Sequence, residues 1–166
     1  MFTLQADALP LKKRVLRGRR LVVVDIENLV GGAVMTVEQA HFARGCVEGA
    51  IGLGPDEQVV IGTSHVGMLA SGLGWPGSRI VVRSGENGAD LALLEVLEGE
   101  RLAERFDEVV LASGDGIFTD AVSALGAEGV HVTVVARPDA CSKRLRMAAG
   151  QAVLLADTAV GVGGAA

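Results

Sequence analysis

Short apolar runs alternate with longer segments of helical periodicity along most of the chain. The runs are rich in Val, Ile and Leu and end in glycine or polar residues, a pattern that predicts the buried strands of a parallel sheet. The predicted strands cover residues 21–26, 58–63, 79–83, 108–112 and 130–135, with 152–155 as a candidate sixth strand.

Helices are predicted between these strands, at residues 36–51, 65–71, 89–106, 117–127 and 139–149, whereas 27–34 is expected to be a loop. Thr36 and Gln39 form a capping-box pattern, and Asn87 is the expected N-cap of the long third helix. Strands that alternate with helices are joined by right-handed crossovers. We therefore predict a single α/β domain of the Rossmannoid type, with a central parallel sheet in the order 3-2-1-4-5 flanked by helices.

The charge of the chain is unevenly distributed. The formal net charge is −5, yet residues 12–20 contain six Lys and Arg residues and no acid. We expect a flexible basic arm at residues 1–20, one domain at 21–157 and a flexible tail at 158–166. The arm is expected to bind the phosphates of a nucleic acid, or else to be a solvated leader.

Three acidic residues are predicted to meet at the carboxyl edge of the sheet. Asp25 ends the first strand, Asp115 follows the fourth, and Asp90 lies in the first turn of the long helix. Neighbouring first and fourth strands place Asp25 and Asp115 at the switch in strand order, where open α/β sheets bind ligands. Acids gathered there repel one another unless a hard cation such as Mg²⁺ or Mn²⁺ binds to their oxygens.

Each acid also has a purely structural interpretation. Asp90 can complete a capping box with Asn87, and Asp115 can cap the helix that follows it. Asp25 is harder to explain in this way, because strand interiors disfavour Asp. Glu27 and Asp120 are further candidates for the same cleft, although acids at such positions are more often solvated at the surface.

The order of three short motifs is more specific than any one of them. Asp25 and Asn28 form a D-x-x-N pattern in VVVDIENLVG, and Gly88 and Asp90 form a G-x-D pattern in NGADLALLEVL. The third is the S-G-D turn of residues 113–115. Together these segments resemble the NYN family of PIN-like ribonucleases over most of residues 21–155.

The resemblance implies a metal-dependent ribonuclease that hydrolyses RNA phosphodiester bonds. It implies that Asp25, Asp90 and Asp115 bind Mg²⁺ or Mn²⁺, with Asp120 as a further metal ligand, while Asn28 orients the attacking water or a phosphate oxygen. The expected contacts to the RNA backbone come from polar and basic residues near the same edge: Ser64, Ser113, Arg137, Lys143 and Arg144. The alternative for the basic residues is a solvated helix face.

The turn after the fourth strand departs from the family pattern. Many NYN sequences read S-G-D-x-D-F, with a second acid before the Phe, but here Ile117 occupies that position. A second metal ion and strong activity are therefore in question, which favours a non-catalytic RNA-binding module as an alternative.

Two other enzyme classes fit the sequence less well. A haloacid-dehalogenase-like phosphatase would have D-x-D-x-T after the first strand, whereas this chain has Glu27 and Leu29 at the second and third of those positions. That class also needs a Lys between its acidic sites, and none lies between Asp25 and Asp115. A dinucleotide-binding domain would have G-x-G-x-x-G after the first strand, which is missing.

The cysteines and the lengths of the apolar runs indicate where the protein is located. The two cysteines, Cys46 and Cys141, form no disulfide framework, and no apolar run is long enough to span a bilayer. We expect a cytoplasmic protein that binds RNA and no membrane, and the sequence leaves a homodimer open.

Overall fold

The computed structural model of the chain describes residues 18–156. Six strands alternate with seven helices in this part of the chain. The strands are β1 Arg20–Asp25, β2 Gln58–Thr63, β3 Arg79–Val82, β4 Glu108–Ala112, β5 His131–Ala136 and β6 Gln151–Leu154. The helices are α1 Ile26–Val30, α2 Val37–Ile51, α3 Met68–Gly74, α4 Gly88–Gly99, α5 Leu102–Arg105, α6 Thr119–Ala127 and α7 Lys143–Ala148. Two 3₁₀ turns, Gly116–Phe118 and Pro138–Ala140, precede α6 and α7.

The strands form one sheet in the order β3-β2-β1-β4-β5-β6, and every neighbouring pair is parallel. The predicted fold class and the order 3-2-1-4-5 are thus confirmed, and the candidate sixth strand joins the edge beside β5. The central strand β1 has β2 on one side and β4 on the other. The switch in strand order therefore lies at the carboxyl end of β1, where Asp25 is located.

The core consists of two apolar layers, one on each face of the sheet. Because successive strand residues point to opposite faces, Val23 packs into one layer and Val22 and Val24 into the other. The first layer includes Leu93 of α4 and Leu125 of α6. The second includes residues of α1 and α2, together with Ala70 of α3 and Trp75, which follows α3. Helices on both faces hold the sheet in place and leave its carboxyl edge open.

The segment after β1 differs from the predicted loop, because residues 26–30 form the short helix α1. The Asp25 side chain caps this helix by accepting a hydrogen bond from the Asn28 amide, at 3.3 Å. Gly31 ends it at φ 87°, in the left-handed region that glycine adopts without strain. The strand therefore turns into a helix at its last acid, which places the following residues above the edge of the sheet.

Three other predicted helices have different limits. The long helix ends at Gly99, and α5 begins after Arg101, whose φ of 53° breaks the helical path. The predicted helix 65–71 starts later, at Met68, and the predicted helix 139–149 is divided into a 3₁₀ turn and α7. The local sequence therefore located these elements but did not determine their ends.

The basic arm lies mostly outside the described residues, as does the tail from residue 157 onward. Arg20 is not part of an arm, because it is the first residue of β1 and forms an ion pair with Glu57. The Arg19 amide donates a 3.3 Å hydrogen bond to Asp107. The predicted boundary between arm and domain is therefore too late by at least one residue.

No helix within residues 18–156 is long and apolar enough to cross a membrane. Cys46 and Cys141 are both unpaired and half-buried.

Candidate metal centre

Asp25 forms the floor of the candidate site, and only 3% of its surface is exposed. Its Oδ1 atom accepts the Asn28 amide, and its Oδ2 atom accepts a 2.9 Å hydrogen bond from the Ser113 hydroxyl. A buried carboxylate is costly unless its oxygens have partners. These two bonds supply partners without supplying a positive charge.

The S-G-D turn after β4 is attached directly to the end of β1. The Gly114 amide donates a 3.0 Å hydrogen bond to the Asn28 side-chain oxygen, and the Asp115 amide donates one of 3.2 Å to the Ser113 hydroxyl. A Cβ atom on Gly114 would lie 1.8 Å from the Ala140 carbonyl oxygen, so only glycine fits there. The D-x-x-N and S-G-D motifs therefore hold each other in place.

These bonds change the predicted roles of two residues. Ser113 is fully buried, and its hydroxyl joins Asp25 to Asp115, so it positions Asp25 instead of contacting a substrate. The Asn28 side-chain oxygen already accepts a hydrogen bond from the Gly114 backbone amide. Only the side-chain nitrogen of Asn28 is therefore left to bind a water or a phosphate oxygen.

The structural interpretation of Asp115 is correct for one of its two oxygens. Asp115 Oδ1 accepts a 2.9 Å hydrogen bond from the Ile117 amide and so caps the 3₁₀ turn. Asp115 is also close enough to Asp25 and Asp90 to raise the pKa of each. It therefore caps a turn and contributes negative charge to the cleft.

The structural interpretation of Asp90 fails. Asn87 precedes α4 with φ 57°, and its side chain makes no capping hydrogen bond. A capping box needs that bond, so Asp90 does not complete one. Its carboxyl group instead lies near that of Asp25, close enough for the charge of Asp90 to raise the pKa of Asp25. The two acids therefore repel each other when both are charged.

The electrostatics agree with this arrangement. Burial and, second, the nearby Asp90 charge together raise the pKa of Asp25 from 3.8 to about 7, against the lowering effect of the Ser113 hydrogen bond. The pKa of Asp90 is also raised, first by burial and then by the charge of Asp115. The site therefore favours bound protons or another source of positive charge.

The acids open into a cleft of about 250 Å³ at the carboxyl edge of the sheet. Its walls come from the ends of β1, β2, β3 and β4 and from the start of α4. The residues that line it are Asp25, Glu27, Asn28, Ser64, Arg83, Gly85, Asn87, Gly88, Ala89, Asp90 and Asp115. Arg83 is the only cationic residue among them, and its guanidinium donates a 2.6 Å hydrogen bond to Glu95.

Glu27 is the cleft residue whose role the sequence did not reveal. The sequence offered it as a further candidate for this cleft or as a solvated surface acid. It lines the cleft, and its Oε1 atom accepts a 2.9 Å hydrogen bond from the Ser64 amide. Its charge also raises the pKa of Asp90. Its position two residues after Asp25 was the only signal in the sequence.

The donor set suits a hard divalent cation. Within residues 18–156, no three His, Cys, Asp or Glu side chains already enclose a metal position. Mg²⁺ does not require such a cage, because it is commonly held by one or two carboxylates together with water and substrate phosphates. Asp25 with Asp90 or Asp115 provides that number of carboxylates, and a cation there would relieve the repulsion that raises their pKa values.

Other predicted site residues lie farther from the acids. Asp120 is exposed and does not line the cleft, so the structure does not support it as a metal ligand. Arg137 lies beside Gly31 and forms an ion pair with Asp139, 2.6 Å away.

Lys143 and Arg144 are exposed in the first turn of α7. The N-cap of that helix, Ser142, packs against Gly116, one residue after Asp115. The basic end of α7 therefore flanks the Asp115 side of the cleft.

Comparison with known proteins supports the resemblance to the NYN family. The sequence matches the NYN domain family over residues 76–156. It is also 36% identical over 69 residues to Low amplitude and bright protein LabA of Synechococcus elongatus, an alignment that covers 42% of this chain and 37% of that protein. The chain thus spans little more than a third of the length of this curated relative.

A solved structure shows the same fold. The crystal structure of a protein of unknown function from Vibrio parahaemolyticus superposes with a TM-score of 0.56 and covers 84% of this chain and 94% of that one. At 17% identity the likeness concerns the fold alone.

The family match includes Asp90 and the S-G-D turn but begins after Asp25 and Asn28. The structure supplies the connection, because Asn28 and Asp25 are hydrogen-bonded to that turn. The match favours the NYN assignment over the phosphatase alternative, and residues 76–156 of this chain match the family that the motifs predicted.

Proposed function

We propose that this protein is a metal-dependent endoribonuclease that hydrolyses RNA phosphodiester bonds at the Asp25 cleft. One observation carries the proposal. The Asp25 carboxyl group is buried next to Asp90, and no cation within residues 18–156 contacts it. Such a site destabilises the folded protein at neutral pH unless a cation neutralises it, and perturbed acids in a cleft mark functional sites.

Four residues of the cleft have a chemical role in this proposal. Asp25, Asp90 and Asp115 hold Mg²⁺ or Mn²⁺ through their oxygens. A bound divalent cation neutralises charge on the scissile phosphate and acidifies the attacking water. The Asn28 amide nitrogen orients that water or a phosphate oxygen from the opposite end of the D-x-x-N motif.

Binding of the RNA backbone falls to residues around the rim. Ser64 donates a hydrogen bond from the β2 side of the cleft, and Arg137, Lys143 and Arg144 supply positive charge from the β5 and α7 side. Contacts of this kind position a nucleic acid without reading its sequence. RNA is therefore the proposed partner, and the specificity for one RNA would come from elsewhere.

Cleavage of labelled RNA by the purified protein tests the proposal. We expect cleavage with Mn²⁺ or Mg²⁺ and none with a chelator. Asp25→Asn should abolish cleavage because it removes the buried negative charge while keeping a similar shape. Asp120→Asn is the matched control, since Asp120 is an exposed acid outside the cleft, and it should cleave at the wild-type rate. Equal cleavage by both variants would refute the proposal.

A non-catalytic RNA-binding module is the second candidate, and Ile117 is the observation that favours it. Ile117 occupies the family's second acidic position and is 39% exposed at the 3₁₀ turn beside Asp115. RNA binding without metal-dependent cleavage, with equal affinity for wild type and Asp25→Asn, would support this candidate.

A further inference from the structure

Glu27 connects the helix after β1 to the end of β2. Its Oε1 atom accepts hydrogen bonds from the Ser64 amide, at 2.9 Å, and from the Thr63 hydroxyl, at 3.4 Å. Thr63 is fully buried as the last residue of β2. Glu27 is therefore attached to a rigid strand end and to the first residue beyond it.

The same contact determines how Ser64 faces the cleft. Its backbone amide is used by Glu27, whereas no group within residues 18–156 hydrogen-bonds to its hydroxyl. Ser64 is half-buried and lines the cleft together with Asp25 and Asp90. Its hydroxyl is thus the polar group that the β2 side of the cleft can offer to a ligand.

Glu27 itself is held firmly. It lies in α1, and its backbone carbonyl accepts hydrogen bonds from Gly31, at 2.8 Å, and Gly32, at 3.0 Å. The Asp25 side chain caps the same helix. A displacement of Glu27 would therefore move the β2 wall relative to the acids on the floor of the cleft.

We propose that Glu27 is a positioning residue that acts through Ser64. Its carboxylate fixes the Ser64 backbone so that the Ser64 hydroxyl donates a hydrogen bond to a phosphate oxygen of single-stranded RNA bound over Asp25. This inference rests on the proposed function, because it concerns RNA in the same cleft. It assigns Glu27 a role as a hydrogen-bond acceptor and not as a metal ligand.

The choice of single-stranded RNA follows from the size and depth of the cleft. The cleft has a volume of about 250 Å³, and the buried Asp25 lies at its floor. A single strand can bend one phosphate into such a cleft, whereas the phosphates of a stiff A-form duplex are held along its own surface.

Two substitutions of Glu27 separate the acceptor role from the charge. Glu27→Gln keeps a side-chain oxygen that can accept the Ser64 amide and removes the charge, whereas Glu27→Ala removes both. We expect Glu27→Gln to bind and cleave a single-stranded RNA nearly as well as wild type. Glu27→Ala should weaken binding roughly tenfold, the scale expected for one lost hydrogen bond to a charged group.

A double-mutant cycle with Ser64 tests whether Glu27 acts through that residue. Ser64→Ala should weaken RNA binding about as much as Glu27→Ala, and the double variant should be no weaker than either single variant. Glu57→Ala is the structural control, because Glu57 also joins two elements, by an ion pair with Arg20, but lies at the opposite edge of the sheet. It should leave RNA affinity unchanged.

Three outcomes would overturn the inference. Equal losses of RNA affinity in Glu27→Gln and Glu27→Ala would show that the charge matters. Additive losses in the double-mutant cycle would show that Glu27 and Ser64 act independently. Equal affinity for single-stranded and duplex RNA would exclude the single-strand assignment. Affinities are measured without metal and cleavage is measured separately with Mn²⁺. A wild-type protein that binds RNA without metal but does not cleave it with Mn²⁺ refutes the proposed function and leaves this test intact. A wild type that neither binds nor cleaves refutes both.

Discussion

The Ser113 hydroxyl donates a 2.9 Å hydrogen bond to Asp25, and this bond joins two motifs that lie 88 residues apart in the sequence. Because the same hydroxyl accepts the Asp115 amide at 3.2 Å, a single buried atom orients two acids of the cleft. Ser113 therefore orients the Asp25 carboxylate and the backbone of Asp115 at the same time.

The stability of the metal-free protein should fall as the pH rises from about 4 to about 7. The pKa of Asp25 is raised from 3.8 to about 7 in the folded state. Between these values the folded state binds more protons than the unfolded state, so the free energy of unfolding decreases by up to about 1.4 kcal/mol per pH unit from this group. Urea denaturation at several pH values in chelator measures the effect.

Asp25→Asn provides the comparison for this pH dependence. The variant should be more stable than wild type at pH 8, where wild-type Asp25 is charged, and the difference should shrink or reverse near pH 4, where it is protonated. Reversal is expected because Asn keeps one acceptor oxygen for the Asn28 and Ser113 bonds instead of two. For Asp120→Asn, the free energy of unfolding should depend on pH as it does in wild type. If Asp25→Asn also showed the wild-type pH dependence, the raised pKa of Asp25 would be contradicted.

Mn²⁺ should stabilise the folded protein by neutralising the acids. At a concentration one hundred times the dissociation constant the gain is about 2.7 kcal/mol, and it should be larger at pH 8 than at pH 5 because protons compete for the carboxylates. Thermal melts with and without Mn²⁺ measure it. Asp25→Asn should lose most of the shift, whereas Asp120→Asn should keep it; the same shift in both would place the metal elsewhere.

Lys143→Gln combined with Arg144→Gln should weaken RNA binding and reduce its dependence on salt. Each lost phosphate contact lowers the slope of log K against log salt by about 0.7 for a single strand. Affinity measured at several salt concentrations gives the slope. The matched control, Arg101→Gln with Arg105→Gln, removes the same charge from the two ends of α5, at the opposite edge of the sheet, and should leave the slope nearly unchanged.

Deletion of residues 1–17 tests the basic arm. The deletion should stop before Arg19 and Arg20, because these residues bind Asp107 and Glu57 within the domain. We expect weaker RNA binding and a flatter salt dependence with an unchanged melting temperature. Unchanged affinity would show that the segment is a leader without a role in binding.

Ile117→Asp should restore the family's second acid. Because Ile117 is 39% exposed, the substitution should cost little stability, and the added carboxylate next to Asp115 should raise Mn²⁺ affinity and the rate of RNA cleavage. Leu69→Asp, an equally drastic change at an exposed position of α3, is the control for added charge. An unchanged cleavage rate would show that the second acid is dispensable in this chain.

Much of the fold was predictable because local physics dictates it. The runs 58–63 and 108–112 coincide with β2 and β4, since buried parallel strands need uninterrupted apolar residues. Alternating strands and helices implied a parallel sheet, and the predicted order 3-2-1-4-5 is the observed one. The identity of the three acids also came from the sequence, because an Asp at the end of an apolar strand and an S-G-D turn are local signals.

The relationships between those residues were decided by tertiary structure. Whether Asp90 capped its helix or faced Asp25 depended on the left-handed conformation of Asn87 and on the approach of α4 to β1, which no local pattern specifies. Ser113 and Glu27 acquired their roles from hydrogen-bond partners on other strands. Asp120 shares the chemistry of the site acids but points elsewhere. Composition and spacing can name candidate side chains, but burial and the positions of distant partners determine which of them share a cleft and what pKa each one has.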